Sequence, residues 1–462
     1  MKKLFLLLSL LAFALILASC ASPEITTDPP ESSDTVTTTS PSTTTETPTT
    51  TEAAMGLTSN QAIKALRDSV WEDYVASLPE SRATELQKNK ITTFTVKGVT
   101  MKVQTRVVGR APEGGYPIFI VLHGGGSDPT GEMNESQWSG MAARYANLVS
   151  CPGIFVSCRA VKDTWDCHSV PEAYMCYDRI IENASIFMNG NPNRAYIVGY
   201  SAGGDGVYQI APRMADRLAA ANMTAGHPNG VSMVNTYNLP FYLQVGELDG
   251  AYSRNTVTVE YAKLLDSLQS KYGGGYIHDV FVHAAKEHGV VGDNATGKET
   301  VVDNTAQWLA SGGKSGVGGT RSETTHAGVL MSQHTRDPIP SRVIWDLSCR
   351  TPSMRRVSSF YWLSAPLTLT SGILDISYDK TTNTVTVNSC TVKGKAKITV
   401  YLNEDMVDLF RDVTFVIDGK STTFTPVLSE KVLEDTVKER GDKNFGFVSK
   451  FSFTVDGTVT VG

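Results

Sequence analysis

Arg194-Ala195-Tyr196-Ile197-Val198-Gly199-Tyr200-Ser201-Ala202-Gly203-Gly204 is a short apolar run that ends in Gly-Tyr-Ser-Ala-Gly. Apolar residues on both alternating faces predict a strand covered on both sides. A serine in a sharp strand-to-helix turn stands proud of the sheet, and glycines flank it because a Cβ there would clash in so strained a backbone. Serine alone is a poor nucleophile. The reading therefore requires a base, an acid to orient that base, and donors for an oxyanion.

Each requirement is met after a separate apolar run. Residues 118–122 (Ile-Phe-Ile-Val-Leu) predict another central strand, and it ends in His123-Gly124-Gly125-Gly126. Glycines leave backbone N–H groups open to a ligand, so Gly124 and Gly125 are the expected oxyanion donors, with the N–H of Ala202 as their partner. His123 is expected to hold this loop. The run 241–245 is followed by Gly246-Glu247-Leu248-Asp249. Asp249 is the expected acid; Glu247 competes from nearer the strand, and Asp205 falls on the helix after Ser201. The strand expected over 279–284 is followed by Lys286-Glu287-His288-Gly289. His288, in a strand-end loop, is the expected base; His278 and His283 lie at that strand's start and in its body. The order Ser201, Asp249, His288 is that of the α/β-hydrolase fold. His227, Arg159, Trp165 and His168 follow strands that open toward the same end of the sheet, and they are candidates for contact with substrate.

Runs at 153–157 and 219–225 add strands, and 257–272 predicts an amphipathic helix between strands. Strands alternating with helices predict a doubly wound, mostly parallel sheet. A helix over 59–78 and a hairpin around Lys97-Gly98 precede it. The glycine-rich run 311–319 reads as a linker without a phosphate-binding pattern. From residue 342 alternating segments (374–378, 384–387, 398–402, 413–417 and 451–455) predict a small antiparallel β module. Its aromatic residues Trp345, Phe360, Tyr361 and Trp362 suit a ligand platform or a packed core.

The body 92–288 resembles the secreted α/β-hydrolases grouped with polyhydroxybutyrate depolymerases, feruloyl esterases and related carboxylesterases. The likeness is carried by 122–126 (Leu-His-Gly-Gly-Gly), 199–208 (Gly-Tyr-Ser-Ala-Gly-Gly-Asp-Gly-Val-Tyr), 225–229 (Ala-Gly-His-Pro-Asn), 246–255 (Gly-Glu-Leu-Asp-Gly-Ala-Tyr-Ser-Arg-Asn) and 287–289 (Glu-His-Gly). The resemblance implies ester hydrolysis through an acyl-enzyme on Ser201, without metal or organic cofactor. It leaves the acyl group and the alcohol open. A serine peptidase with the same triad is the rival enzyme. A surface lipoprotein that binds glycan on an inactive hydrolase scaffold is the rival outside enzymes.

Lys2 and Lys3 precede an apolar run from Leu4 to Ala18, which is short for a membrane span and reads as an export signal. It ends in Leu17-Ala18-Ser19-Cys20, which resembles a bacterial lipobox. Cys20 is then acylated, and the protein is anchored outside the cytoplasm to the cell envelope by lipid, without spanning the membrane. Residues 20–54, rich in Thr, Ser and Pro, predict a disordered tether. The expected division is therefore a signal peptide at 1–19, a tether at 20–54, a catalytic domain at 55–310, a linker at 311–341 and a β-rich module at 342–462. The net charge is −6, of which the leader contributes +2 and the tether −6, leaving a nearly neutral body of −2. Nothing in that balance suits nucleic acid. Cys151, Cys158, Cys167, Cys176, Cys349 and Cys390 permit disulfides of undetermined connectivity in an exported chain. They lack zinc-ligand spacing, so no metal is expected.

Overall fold

The computed structural model describes residues 57–289, 299–323, 327–350 and 357–462. The chain divides into two units, Met1–Thr51 and Glu52–Gly462. The expected signal peptide, Cys20 and tether lie outside the described residues, all of which belong to the second unit.

Helix α1 (Asn60–Ala76) leads into the hairpin β1 (Ile91–Val96) and β2 (Val99–Val108). Then follow β3 (Tyr116–Leu122), α2 (Glu132–Trp138), α3 (Met141–Val149), β4 (Gly153–Cys158), α4 (Tyr174–Phe187), β5 (Gly190–Tyr200), α5 (Ala202–Ile210), β6 (Ala220–Thr224), β7 (Phe241–Gly246), α6 (Arg254–Tyr272) and β8 (His278–His283). After them come β9 (Glu299–Val302), α7 (Thr305–Ala310), β10 (Thr320–Glu323) and α8 (Ala327–Met331). The ten strands form one sheet in the order β1-β2-β4-β3-β5-β6-β7-β8-β9-β10. From β4 through β8 every neighbour is parallel, while β2 runs antiparallel to β4. This strand order, with helices on both faces, is the α/β-hydrolase architecture.

Alternation along β3 shows why these residues make a central strand. Ile118, Ile120 and Leu122 join the core under α4, α5 and α6. Phe119 and Val121 join the opposite core under α3 and α8. Phe119 stacks between Phe155 of β4 and Tyr196 of β5, with ring centroids 4.4 and 5.0 Å away. β3, β4 and β5 are therefore apolar on both faces, and in a sheet of this kind ligands bind beyond the C-terminal ends of the parallel strands.

Residues 311–341 are more than a connection. β10 pairs antiparallel with β9 and extends the sheet, and α8 closes one of its faces. The Thr-Arg-Ser-Glu sequence of β10 is almost wholly exposed. An edge strand of that kind has no apolar alternation to announce it.

The C-terminal segment forms two five-stranded sheets. One contains β11 (Arg342–Asp346), β14 (Ile373–Asp379), β15 (Thr384–Cys390), β17 (Val413–Ile417) and β18 (Lys420–Phe424). The other contains β12 (Ser359–Phe360), β13 (Leu363–Ser364), β16 (Ile398–Leu402), β19 (Ser449–Phe453) and β20 (Val459–Val461). Pairing is antiparallel except for β15 with β17. A helix, α9 (Glu430–Arg440), sits within this β-rich region, capped by the Ser429 hydroxyl on the Val432 N–H. Trp345, Phe360, Tyr361 and Trp362 are buried, and they belong to the same apolar core as the helices of the hydrolase sheet. They are packing, not an open platform.

Polar contacts reinforce that junction. Asp442, after α9, binds Arg336 at 2.7 Å and Arg217 at 3.1 Å, and Arg440 pairs with Asp216. Arg217 also reaches Asp178 of α4 at 3.2 Å. The six cysteines from Cys151 onward are all free thiols.

Candidate active site

Ser201 sits between β5 and α5 with φ 58° and ψ −120°, a backbone state that costs about 1–3 kcal/mol and persists only where its surroundings enforce it. Its N–H is held by the Thr224 carbonyl of β6 at 3.0 Å. A Cβ on Gly203 would lie 2.4 Å from the Leu122 carbonyl oxygen. Only glycine lets α5 start this close to the end of β3, and that approach brings the donor loop beside the serine.

The Ser201 hydroxyl donates to His288 Nε2 at 2.9 Å. His288 Nδ1 in turn donates to Asp249 Oδ2 at 2.7 Å. The Asp249 side chain is 1% exposed, and its other oxygen faces Arg254 at 3.7 Å. Tyr200 packs beside the imidazole, ring centroids 5.3 Å apart. The three residues come from the ends of β5, β7 and β8.

The acid and base loops are laced together. Glu247 N–H donates to the His283 carbonyl at 2.9 Å, and Leu248 N–H to the Lys286 carbonyl at 2.8 Å. Glu247 is buried, and it does not contact His288. Its carboxylate accepts from Ala285 N–H at 2.7 Å and from Gly316 N–H at 3.0 Å. The competing acid thus clamps the segment that carries His288. Asp205 instead accepts the His227 N–H. His283 lies against Gln244 inside the sheet, and His278 near Asp266 at the strand's far end.

The donor loop packs directly on this group: a Cβ on Gly124 would fall 3.3 Å from the Ser201 Cβ. Gly126 is tied off by Asn134 of α2, which accepts its N–H at 2.9 Å and donates to its carbonyl at 2.8 Å. His123 Nε2 accepts the Ala160 N–H at 3.1 Å, so the proton is on Nδ1, which donates to the Gly124 carbonyl at 2.5 Å. Burial pushes the His123 pKa down to about 4 and holds His168 well below the usual histidine range. Both rings are neutral near pH 7. Ala202 opens α5, and helix geometry leaves the N–H of a first residue without an intrahelical partner.

A cleft of about 630 Å³ is lined by Trp165, Asp205, Gln209, His227, Tyr252 and Arg254 among others. Trp165 and Tyr252 are 67% and 69% exposed. Trp165 lies against Gly126, and Arg254 stacks over Tyr252 at 4.8 Å. Trp165 and His227 thus line this cleft. Arg159 does not; it is bound to Asp163 at 2.6 Å and to Glu135 at 3.4 Å. His168 is buried behind the donor loop, 2.9 Å from the His123 carbonyl. Arg254 and Asn134 escape the sequence reading as site residues, and Glu247 enters it only as a rival acid, not as a clamp. Their roles depend on loops meeting in space, although Glu247 and Arg254 both stand in the 246–255 segment. Among the described residues no group of three or more His, Cys, Asp or Glu side chains is placed to hold a metal ion.

No protein-family model and no curated protein sequence matches the chain. Solved structures similar to it include a thermostable esterase, at 22% identity over 44% of this chain and TM-score 0.34. The chain spans 55% of that esterase's length. An esterase from Pyrobaculum calidifontis is 14% identical over 50% of this chain and 87% of its own, with TM-score 0.32. A poly(3-hydroxybutyrate) depolymerase from Bordetella parapertussis is 12% identical over 48% of this chain and 92% of its own, with TM-score 0.37. The fold assignment rests on the strand order itself.

Proposed function

We propose that this chain is a serine hydrolase that cleaves carboxylic esters through an acyl-enzyme on Ser201. One observation carries the reading: an unbroken hydrogen-bond relay from the Ser201 hydroxyl through both nitrogens of His288 to the buried Asp249 carboxylate. A buried acceptor on Nδ1 fixes the tautomer, leaving Nε2 as a base facing the hydroxyl.

In the proposed cycle Ser201 Oγ attacks the ester carbonyl carbon while His288 Nε2 takes its proton. The negative charge that develops on the carbonyl oxygen faces the N–H groups of Gly124, Gly125 and Ala202. Collapse breaks the bond to the alcohol oxygen, which leaves with the proton from His288. Water then attacks the acyl-enzyme by the same route and releases the acid. The scheme requires no metal or organic cofactor.

The test is turnover by the purified second unit on p-nitrophenyl acetate and butyrate beside peptide p-nitroanilides. Ester cleavage with little or no anilide cleavage is expected. Preferential cleavage of anilides would make the protein a peptidase, and inactivity on both sets would leave the relay without an ester-cleaving role.

A further inference from the structure

We propose that His168 is a positioning residue of the oxyanion site, acting through the His123 carbonyl to aim the Gly124 N–H at the reacting oxygen. The inference rests on the serine-hydrolase reading above and goes beyond it. A peptide unit is planar and trans, so its C=O and N–H point in opposite directions. Fixing the carbonyl of one residue fixes the direction of the next residue's N–H. His168 Nε2 donates to the His123 carbonyl at 2.9 Å, which sets the peptide between His123 and Gly124. His123 Nδ1 donates to the Gly124 carbonyl at 2.5 Å, which sets the peptide between Gly124 and Gly125. Two successive peptides are thus pegged by two histidine rings packed edge to face, centroids 4.5 Å apart.

His168 is itself held from two sides. Tyr177 of α4 donates to its carbonyl at 2.8 Å. A Cβ on Gly206 of α5 would lie 2.8 Å from the His168 Cβ. The ring is therefore wedged between the donor loop and the helix that begins at the serine, so it sets the position of one against the other. Its burial keeps it neutral, with the one ring proton on the nitrogen that faces the carbonyl. Glycines supply the freedom that lets N–H groups approach a ligand, and freedom without a peg would let the peptide turn. The pegs convert a permissive loop into a preorganised one, which is what stabilisation of developing charge demands.

His168→Leu removes the donor and keeps an apolar filling; His168→Gln places an amide N–H near the position of Nε2. For His168→Leu the expected result is a fall in kcat of about a hundredfold, the scale of a small misplacement at the reacting centre, with KM little changed. Affinity for a trifluoromethyl ketone, which forms a tetrahedral adduct, should fall in parallel, and His168→Gln should restore most of both. Should His168→Leu fail to fold, His168→Asn, polar but one bond too short, takes its place. A bond that merely satisfies a buried carbonyl would lower the melting temperature and leave kcat and ketone affinity intact; that outcome overturns the inference. An inactive wild-type protein would instead remove the hydrolase reading, and the inference with it.

Discussion

Ser201→Ala is expected to lower kcat on p-nitrophenyl butyrate by about 10⁶-fold, the loss typical when the nucleophile of such a relay is removed. The melting temperature should stay close to that of the parent. Alanine and serine carry similar strain at a φ of 58°, and the lost hydroxyl makes its hydrogen bond to the half-exposed His288. Asp249→Asn should cost about 10⁴-fold, because an amide can donate to Nδ1 and hold the imidazole in the wrong tautomer. The loss should fall on kcat, since neither Ser201 nor Asp249 is among the residues that line the cleft beside Trp165 and His227. Near-parental turnover in Ser201→Ala would show that ester cleavage occurs elsewhere on the molecule.

The second large effect is on stability. Asp442→Asn should destabilise the protein by about 3–5 kcal/mol, the usual penalty for breaking a buried ion pair from one side. Asp442 has a 1% exposed side chain against two equally buried guanidiniums, Arg336 and Arg217. The variant takes the Asp442 charge from both cations at the junction of the hydrolase sheet and the C-terminal sheets, leaving Arg217 with Asp178 alone. Burial pushes this carboxyl's pKa up, but Arg336 and Arg217 outweigh it and hold the pKa well below the ordinary aspartate value of 3.8. A folded-state pKa below the unfolded one means the unfolded chain binds the proton more readily. The contribution is therefore complete above about pH 4 and is lost as pH falls further. Urea denaturation at pH 7 and at pH 3 should show a smaller gap between parent and variant at the lower pH. Equal stability of the two at pH 7 would mean the cluster is dispensable.

The hydrolase sheet is legible in the sequence because each central strand is apolar on both faces and ends in glycine or a polar group. Ser201, Asp249 and His288 each follow such a strand, so pattern and position agree for all three. Glu247 and His283, the near rivals, sit two and five residues from the residues chosen; their burial under neighbouring loops cannot be read from spacing. His168 is misplaced by the sequence for the same reason. It follows a strand that opens toward the site, yet its ring turns behind the donor loop instead of into the cleft. β10 is hidden by its exposed polar sequence. Helix α9 is hidden by its β-rich surroundings, although Ser429 and the acid after it mark its start. The merging of the two cores depends on long-range packing, which no local period encodes.

The central claim is that Ser201 is the nucleophile of this relay, and covalent labelling tests it most directly. The protein is treated with a fluorophosphonate, residual ester turnover is followed, and the adduct is located by peptide mass spectrometry. The account predicts one adduct per chain, on the peptide that carries Ser201, forming in step with the loss of turnover and absent from His288→Ala. Undiminished labelling of Ser201 in His288→Ala, or an adduct on another residue that abolishes turnover while Ser201 stays unmodified, would contradict it.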